Sequence, residues 1–154
     1  MDTEKIQINY TRADLPTFRE LLNVFGEAFE DPEHYQSAVP SDEYLSSLLA
    51  SDTFIAVTAI ADGRVVGGLA AYVLNKFEQE RSEIYIYDLA VLENFRRRGI
   101  ATGSINKLRE IARDLGAYVI FVQADLGDDP AIKLYESLGT REDVLHFDIS
   151  PFTQ

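Results

Sequence analysis

Residues 83–91 read Glu-Ile-Tyr-Ile-Tyr-Asp-Leu-Ala-Val, a nearly continuous apolar and aromatic run interrupted by one internal charge, Asp88. A strand of that kind belongs in the middle of a sheet with both faces covered, so the chain must build a layer on either side of it. The flanking sequence supplies those layers. Residues 53–61 are rich in strand formers, Asp62-Gly63 is a hairpin turn signal, and residues 64–74 return as the antiparallel partner. Upstream, a short strand is expected around Ile6 and Ile8. Asp14 then caps a helix carrying Leu15, Phe18, Leu22, Phe25 and Phe29 at helical spacing. Residues 30–41, with Pro32 and Pro40, are expected as a loop, and Ser41 opens a short helix through Tyr44, Leu45 and Leu48.

Downstream, Ala101, Ile105, Leu108, Ala112 and Leu115 mark an amphipathic helix that Gly116 ends. Residues 118–124 form a further strand. Asp128-Asp129-Pro130 starts a helix that runs through Leu138 to Gly139, and residues 144–149 are expected as a last strand. Hairpins together with a strand-helix-strand crossover give an α/β (α+β) class, a mixed central sheet with flanking helices. A chain of 154 residues fills one domain of this kind, so residues 1–154 are expected as a single domain.

Charge narrows the partners. With 26 acidic against 14 basic side chains the net charge is −12, which repels nucleic acid and anionic membranes and attracts cations. The absence of cysteine removes disulfides, thiolate metal sites and a cysteine nucleophile. His34 and His146 are too far apart in sequence to suggest a metal site, and none is expected. Residues 1–10 carry no leader-like apolar region and no run is long enough to cross a bilayer, so the expected location is the cytoplasm.

The central strand leads into Val91-Leu92-Glu93-Asn94-Phe95-Arg96-Arg97-Arg98-Gly99-Ile100-Ala101-Thr102-Gly103, at the start of the long helix. Three arginines at a helix N-terminus oppose the helix dipole, so an anion there would compensate them, and Gly99 would let it approach the main chain. The spacing fits neither a P-loop nor a dinucleotide fingerprint. A diphosphate suits the place. Asp88 is a costly charge on its strand unless a cation, a donor or water meets it, which makes it a candidate base or anchor for a substrate amine. Strict alternation sets Ile84, Ile86 and Asp88 on one face and Glu83, Tyr85 and Tyr87 on the other, unless a bulge intervenes. Glu83 is the rival base, acting through water. Asp125, Asp128, Asp129 and Glu142 are candidate carboxylates for a polycationic substrate, although Asp128 and Asp129 also suit a helix start. Tyr72, Phe77, Tyr85 and Tyr87 are aromatic candidates for a sugar-lined cleft, Tyr87 above all because it adjoins Asp88.

Arg96-x-x-Gly99-x-Ala101 is similar to the acyl-CoA signature Arg/Gln-x-x-Gly-x-Gly/Ala of the GNAT N-acetyltransferases, and Ala131-x-x-Leu134-Tyr135-x-x-Leu138-Gly139 resembles their second motif. A closer resemblance, to aminoglycoside 3-N-acetyltransferases of the gentamicin-acetylating type, runs through Ala70-Ala71-Tyr72-Val73-Leu74, Lys76-Phe77-Glu78-Gln79 and residues 81–91. It continues through Gln123-Ala124-Asp125, Gly127-Asp128-Asp129-Pro130 and His146-Phe147-Asp148. This resemblance implies a GNAT acyl-CoA N-acyltransferase fold, acetyl-CoA as cosubstrate without a metal, and direct transfer to the 3-amino group of deoxystreptamine in a ternary complex. The organism would be a resistant bacterium and the protein a homodimer. Carried onto this chain, cofactor contacts fall on Leu89, Ala90, Val91, Arg96, Arg97, Arg98, Gly99, Ile100, Ala101, Thr102 and Gly103, with an amide near Leu89 or Ala90 facing the acetyl oxygen. Tyr135 falls near the sulfur as proton donor, with Asp88 and Glu83 as candidate bases. Tyr87, Asp125, Asp128, Asp129 and Glu142 fall on the substrate. The alternatives are a polyamine or protein amine as acceptor, or an acyl-CoA sensor without turnover.

Overall fold

The computed structural model describes residues 5–153. The leader expectation for residues 1–10 therefore lies partly outside the described residues. Where the sequence is read as one domain, the chain divides into two compact units, Met1–Gln123 and Ala124–Gln154.

The first unit is built on a five-stranded sheet in the order β1 (Ile6–Thr11), β2 (Phe54–Ala61), β3 (Arg64–Asn75), β4 (Ser82–Val91) and β5 (Ala117–Val122). Neighbours are antiparallel through β4, and β4 pairs with β5 in parallel. The helices of this unit are α1 (Leu15–Ala28), α2 (Pro32–Gln36), α3 (Asp42–Ala50) and α4 (Ile100–Leu115). Asp14 and Ser41 cap α1 and α3 as expected, by accepting from Thr17 N and Tyr44 N. Gly116 closes α4 at φ 74, a left-handed turn that a glycine makes without a Cβ clash.

Side chains divide between the two faces. Phe18, Leu21 and Phe25 of α1 are buried, and Leu21 Cδ1 reaches to 3.0 Å of the position a Cβ would take on Gly68 of β3. On the opposite face, the same construction at Gly67 meets Ile100 Cγ2 of α4 at 3.3 Å. The adjacent glycines thus let the first helix and the fourth approach the same strand from opposite sides. Burying Leu21, Phe25, Leu69, Ile84 and Leu108 removes their side chains from water, worth roughly 1.5–3 kcal/mol each before conformational entropy is charged.

Two expectations in this unit change. Residues 30–41 are not wholly loop, because the Asp31 side chain accepts from His34 N and Pro32 stands in the first turn, nucleating α2. The strict alternation of β4 also fails. Ala70 pairs with Asp88 while Ala71 pairs with Ile86, leaving Tyr87 as an extra, bulged residue. Adjacent residues of β3 point to opposite faces, so Asp88 points opposite to Ile84 and Ile86 and shares the face of Glu83 and Tyr85.

The second unit contains α5 (Asp129–Leu138), capped by the Asp128 side chain through Ala131 N, with Pro130 in the first turn. The expected strand at residues 144–149 is not formed. Within that segment His146 Nε2 bonds to Asp148 Oδ1 at 2.9 Å.

Candidate active site

β4 has two neighbours for only part of its length. Ser82 to Ile86 are matched by β5, whereas the residues from Tyr87 to Val91 are matched by β3 alone. Beyond Ile86 the β5-side edge of β4 therefore has unused backbone donors and acceptors, including those near Leu89 and Ala90. The amide near Leu89 or Ala90 that the resemblance assigns to the acetyl oxygen lies on this open edge. Bulge and parting coincide at Tyr87–Asp88.

Asp88 is half-buried. Its Oδ2 accepts a 3.0 Å hydrogen bond from Tyr35 Oη on α2, a pairing across 53 residues that the sequence did not announce. Burial pushes the Asp88 carboxyl above the usual carboxylate range, while the Tyr35 bond and the nearby His34 pull it back. Burial raises the Tyr35 phenol as well, and the charge of Asp88 raises it further, so Tyr35 stays a neutral donor. The only signal for Tyr35 was the Asp31-Pro32-Glu33 helix start, which places it on the inner side of a helical turn.

Around the carboxylate stands an aromatic group. Tyr72 and Tyr87 meet edge to face at 5.8 Å, Tyr85 lies 5.8 Å from Tyr87, and Tyr85 stacks on Phe121 at 4.6 Å. Tyr87 is 63% and Tyr72 39% exposed, a surface suited to a sugar ring, whereas Phe77 is wholly exposed and outside this group. Tyr85 Oη donates to Gln123 Oε1 at 2.9 Å. Glu83 shares the face but is engaged farther along: it accepts from Tyr118 Oη and pairs with Lys76 Nζ at 3.8 Å. Its β3 partner Leu74 is four residues from Ala70, the partner of Asp88, which sets the two carboxylates about 13 Å apart along the strand. Alongside α1 and α2 runs a groove of about 930 Å³ lined by Asn23, Glu27, Glu30 and Tyr35 among others. Glu27 and Glu30 were not singled out in the sequence.

The N-terminus of α4 supplies a different chemistry. The helices α1, α2, α3 and α5 each have a side-chain cap, and α4 has none. Gly103 N already bonds to Gly99 O at 2.9 Å, so the amides of Ile100, Ala101 and Thr102 are the ones left for a ligand. Gly99 has φ 78 and open space where a Cβ would stand, and Arg97 is also left-handed at φ 64. These uncapped amides beside exposed guanidiniums fit a diphosphate. Arg96 also has a structural duty, donating from Nε to Val91 O at 3.1 Å, and Arg98 lies 5.1 Å from the Phe95 ring. Gly103 is a packing residue, since a Cβ there would fall 2.5 Å from Ile8 Cδ1.

In the second unit, Asp128 serves as the α5 cap and Asp129 lies in the first turn. Asp125 O accepts from Asp128 N at 3.1 Å, and Glu142 is exposed. Tyr135 is half-buried, and burial, with a smaller contribution from Asp128, pushes its phenol up to about 12. Among the described residues no cluster of side chains could hold a metal ion.

Comparison with known proteins agrees with this geometry. The acetyltransferase (GNAT) family profile matches residues 15–140. A crystal structure of an aminoglycoside acetyltransferase from an uncultured soil metagenomic sample is 54% identical, covers 95% of this chain and 98% of that one, and superposes with a TM-score of 0.92. A second such enzyme, crystallised with sisomicin, is 34% identical over 94% of this chain and 95% of that one, with a TM-score of 0.86. An N-acetyltransferase of Methanocaldococcus jannaschii is 29% identical over 87% of this chain, which spans 59% of that protein's length. With its parted central strand, its uncapped arginine-flanked helix and the match across most of its length, the chain belongs to the GNAT acetyltransferase family.

Proposed function

We propose that this protein transfers an acetyl group from acetyl-CoA to an amine of an aminoglycoside, at the 3-amino group of the deoxystreptamine ring as in gentamicin. The observation that carries the reading is the position of Asp88. It is a half-buried carboxylate placed by a bulge where β4 leaves β5, beside exposed Tyr72 and Tyr87. The aminoglycoside acetyltransferase at 54% identity supports the acceptor class. The 3-position rests on the resemblance at Ala70–Leu74 and residues 81–91.

Acetyl-CoA supplies the acetyl group as a thioester open to attack by an amine. The amides of Ile100, Ala101 and Thr102 bind its diphosphate with help from Arg97 and Arg98, and the open edge of β4 at Leu89 and Ala90 binds and orients the acyl end. Asp88 accepts the proton that the amine sheds as its nitrogen bonds to the carbonyl carbon. By the resemblance, Tyr135 is the donor that protonates the sulfur as the carbon–sulfur bond breaks. Its phenol at about 12 keeps that proton at physiological pH and has it to give. Glu27 and Glu30 in the groove beside Tyr35 hold further ammonium groups, and Asp125, Asp128, Asp129 and Glu142 remain substrate candidates. We carry forward a bacterial source and a homodimer on the same resemblance, and propose the cytoplasm as the location.

The test is a panel of acceptors assayed for free coenzyme A, followed by mass spectrometry and NMR of the product. Acetylation at the 3-amino group of gentamicin is expected. Turnover only with polyamines or protein N-termini would overturn the acceptor, and acetyl-CoA binding without any turnover would leave a sensor.

A further inference from the structure

Tyr35 lies on a five-residue helix that has no reason of its own to persist in water. It is held by the Asp31 cap, and the Tyr35 ring sits 6.1 Å from Phe25, 5.9 Å from Phe29 and 4.8 Å from His34. Its hydroxyl leaves that aromatic group to reach the carboxylate of β4. Among the described residues it is the one side chain recorded as hydrogen-bonding to Asp88. We propose that Tyr35 is a positioning residue: its phenol fixes Oδ2 of Asp88 and leaves Oδ1 to meet the acceptor amine, so that the base is aimed only while α2 is folded. The amine's role rests on the proposed acetyl transfer, and the clamp itself rests on the bond.

The consequence has a sign. A phenol that donates to the carboxylate favours its charged form and opposes the effect of burial. Removing the donor raises the pH at which Asp88 loses its proton, and with it the pH at which the amine finds a base. The groups facing Asp88 are Tyr35 and His34 on α2, with Asp31 beside Tyr35, Tyr72 on β3, and Tyr85 and Tyr87 on β4. Tyrosines stay neutral through the acidic range, so among these side chains Asp31 and His34 are the other ionisable groups near Asp88. His34→Gln removes the imidazole and Asp31 is common to both proteins compared, so the difference between them isolates the phenol.

The experiment is a carboxyl ¹³C NMR titration of the whole protein, with the Asp88 resonance assigned through Asp88→Asn, in His34→Gln and in His34→Gln with Tyr35→Phe. Phenylalanine keeps the ring among Phe25, Phe29 and His34, and a retained two-dimensional amide spectrum verifies the fold. The midpoint of Asp88 should move up by about one pH unit, the loss of one hydrogen bond to a charged group. The acidic limb of kcat/KM with gentamicin should move by the same amount, with acetyl-CoA affinity unchanged. An unmoved midpoint overturns the clamp. A moved midpoint in a protein that turns over no aminoglycoside keeps the clamp and overturns the acceptor, so the two failures are separable.

Discussion

Gly99→Ala tests the diphosphate cradle, with a control provided by the other end of the same helix. Gly99 and Gly116 flank α4 at φ 78 and φ 74, and a Cβ at either position would meet nothing within 4 Å. The substitutions therefore carry the same backbone penalty, about 1–2 kcal/mol for a left-handed alanine. A ~1 kcal/mol loss lowers Tm by roughly 2–4 °C in a chain of this size, so both variants should melt a few degrees early and by similar amounts. Their affinities for acetyl-CoA should differ. At Gly116 the added methyl is far along the helix from the uncapped amides. At Gly99 it stands where the diphosphate must approach Ile100 and Ala101, and loss of one amide–phosphate bond costs about 1.5–3 kcal/mol. Calorimetry should show Gly99→Ala binding about 10- to 100-fold more weakly and Gly116→Ala binding like wild type. Equal affinities in the two variants, with matched melting shifts, would refute the placement of the cofactor.

Three further substitutions probe the base and the sheet. Asp88→Asn should lower kcat/KM toward gentamicin by about 100-fold or more while leaving acetyl-CoA affinity intact. Because burial holds the folded-state pKa of Asp88 above its unfolded value, the stability it contributes is present at low pH and is lost as pH climbs through the folded pKa. Chemical denaturation at neutral pH should therefore find Asp88→Asn at least as stable as wild type, and a clear loss of stability would contradict the burial penalty. Gly68→Ala places a Cβ 2.1 Å from the Val57 carbonyl oxygen at φ 152, a backbone clash with no side chain to yield, and should cost about 3 kcal/mol or more in urea unfolding. Gly63→Ala, with open space at φ 78, should cost only about 1–2 kcal/mol.

What could be read in advance was local. The Asp14, Ser41 and Asp128 caps, the Asp62-Gly63 hairpin and the Gly116 stop each depend on a few adjacent residues, and each stands where the sequence put it. Asp31-Pro32 carried the same kind of signal, but the surrounding prolines made the segment look like loop and hid α2. The bulge at Tyr87 was invisible because register is fixed by the pairing of β3 with β4, not by any motif in residues 83–91. Tyr35 was missed for the same reason, since its partner is 53 positions away. Residues 144–149 show the reverse failure: they carry a strand pattern and form no strand, because a pattern of side chains does not by itself supply a ladder partner.

One unpaired residue in β4 also sets a parity rule for this chain. Up to Ile86 the even-numbered positions share the side of the sheet that α4 packs, and from Leu89 onward the odd-numbered ones do. Shortening the strand by deleting Tyr87 would restore simple alternation and keep Asp88 on the side of Tyr85, because the extra residue is the one removed. Flattening the bulge with Tyr87 retained would instead carry the reactive group through the sheet to the side of Ile86, and Leu89 and Val91 would turn over with it.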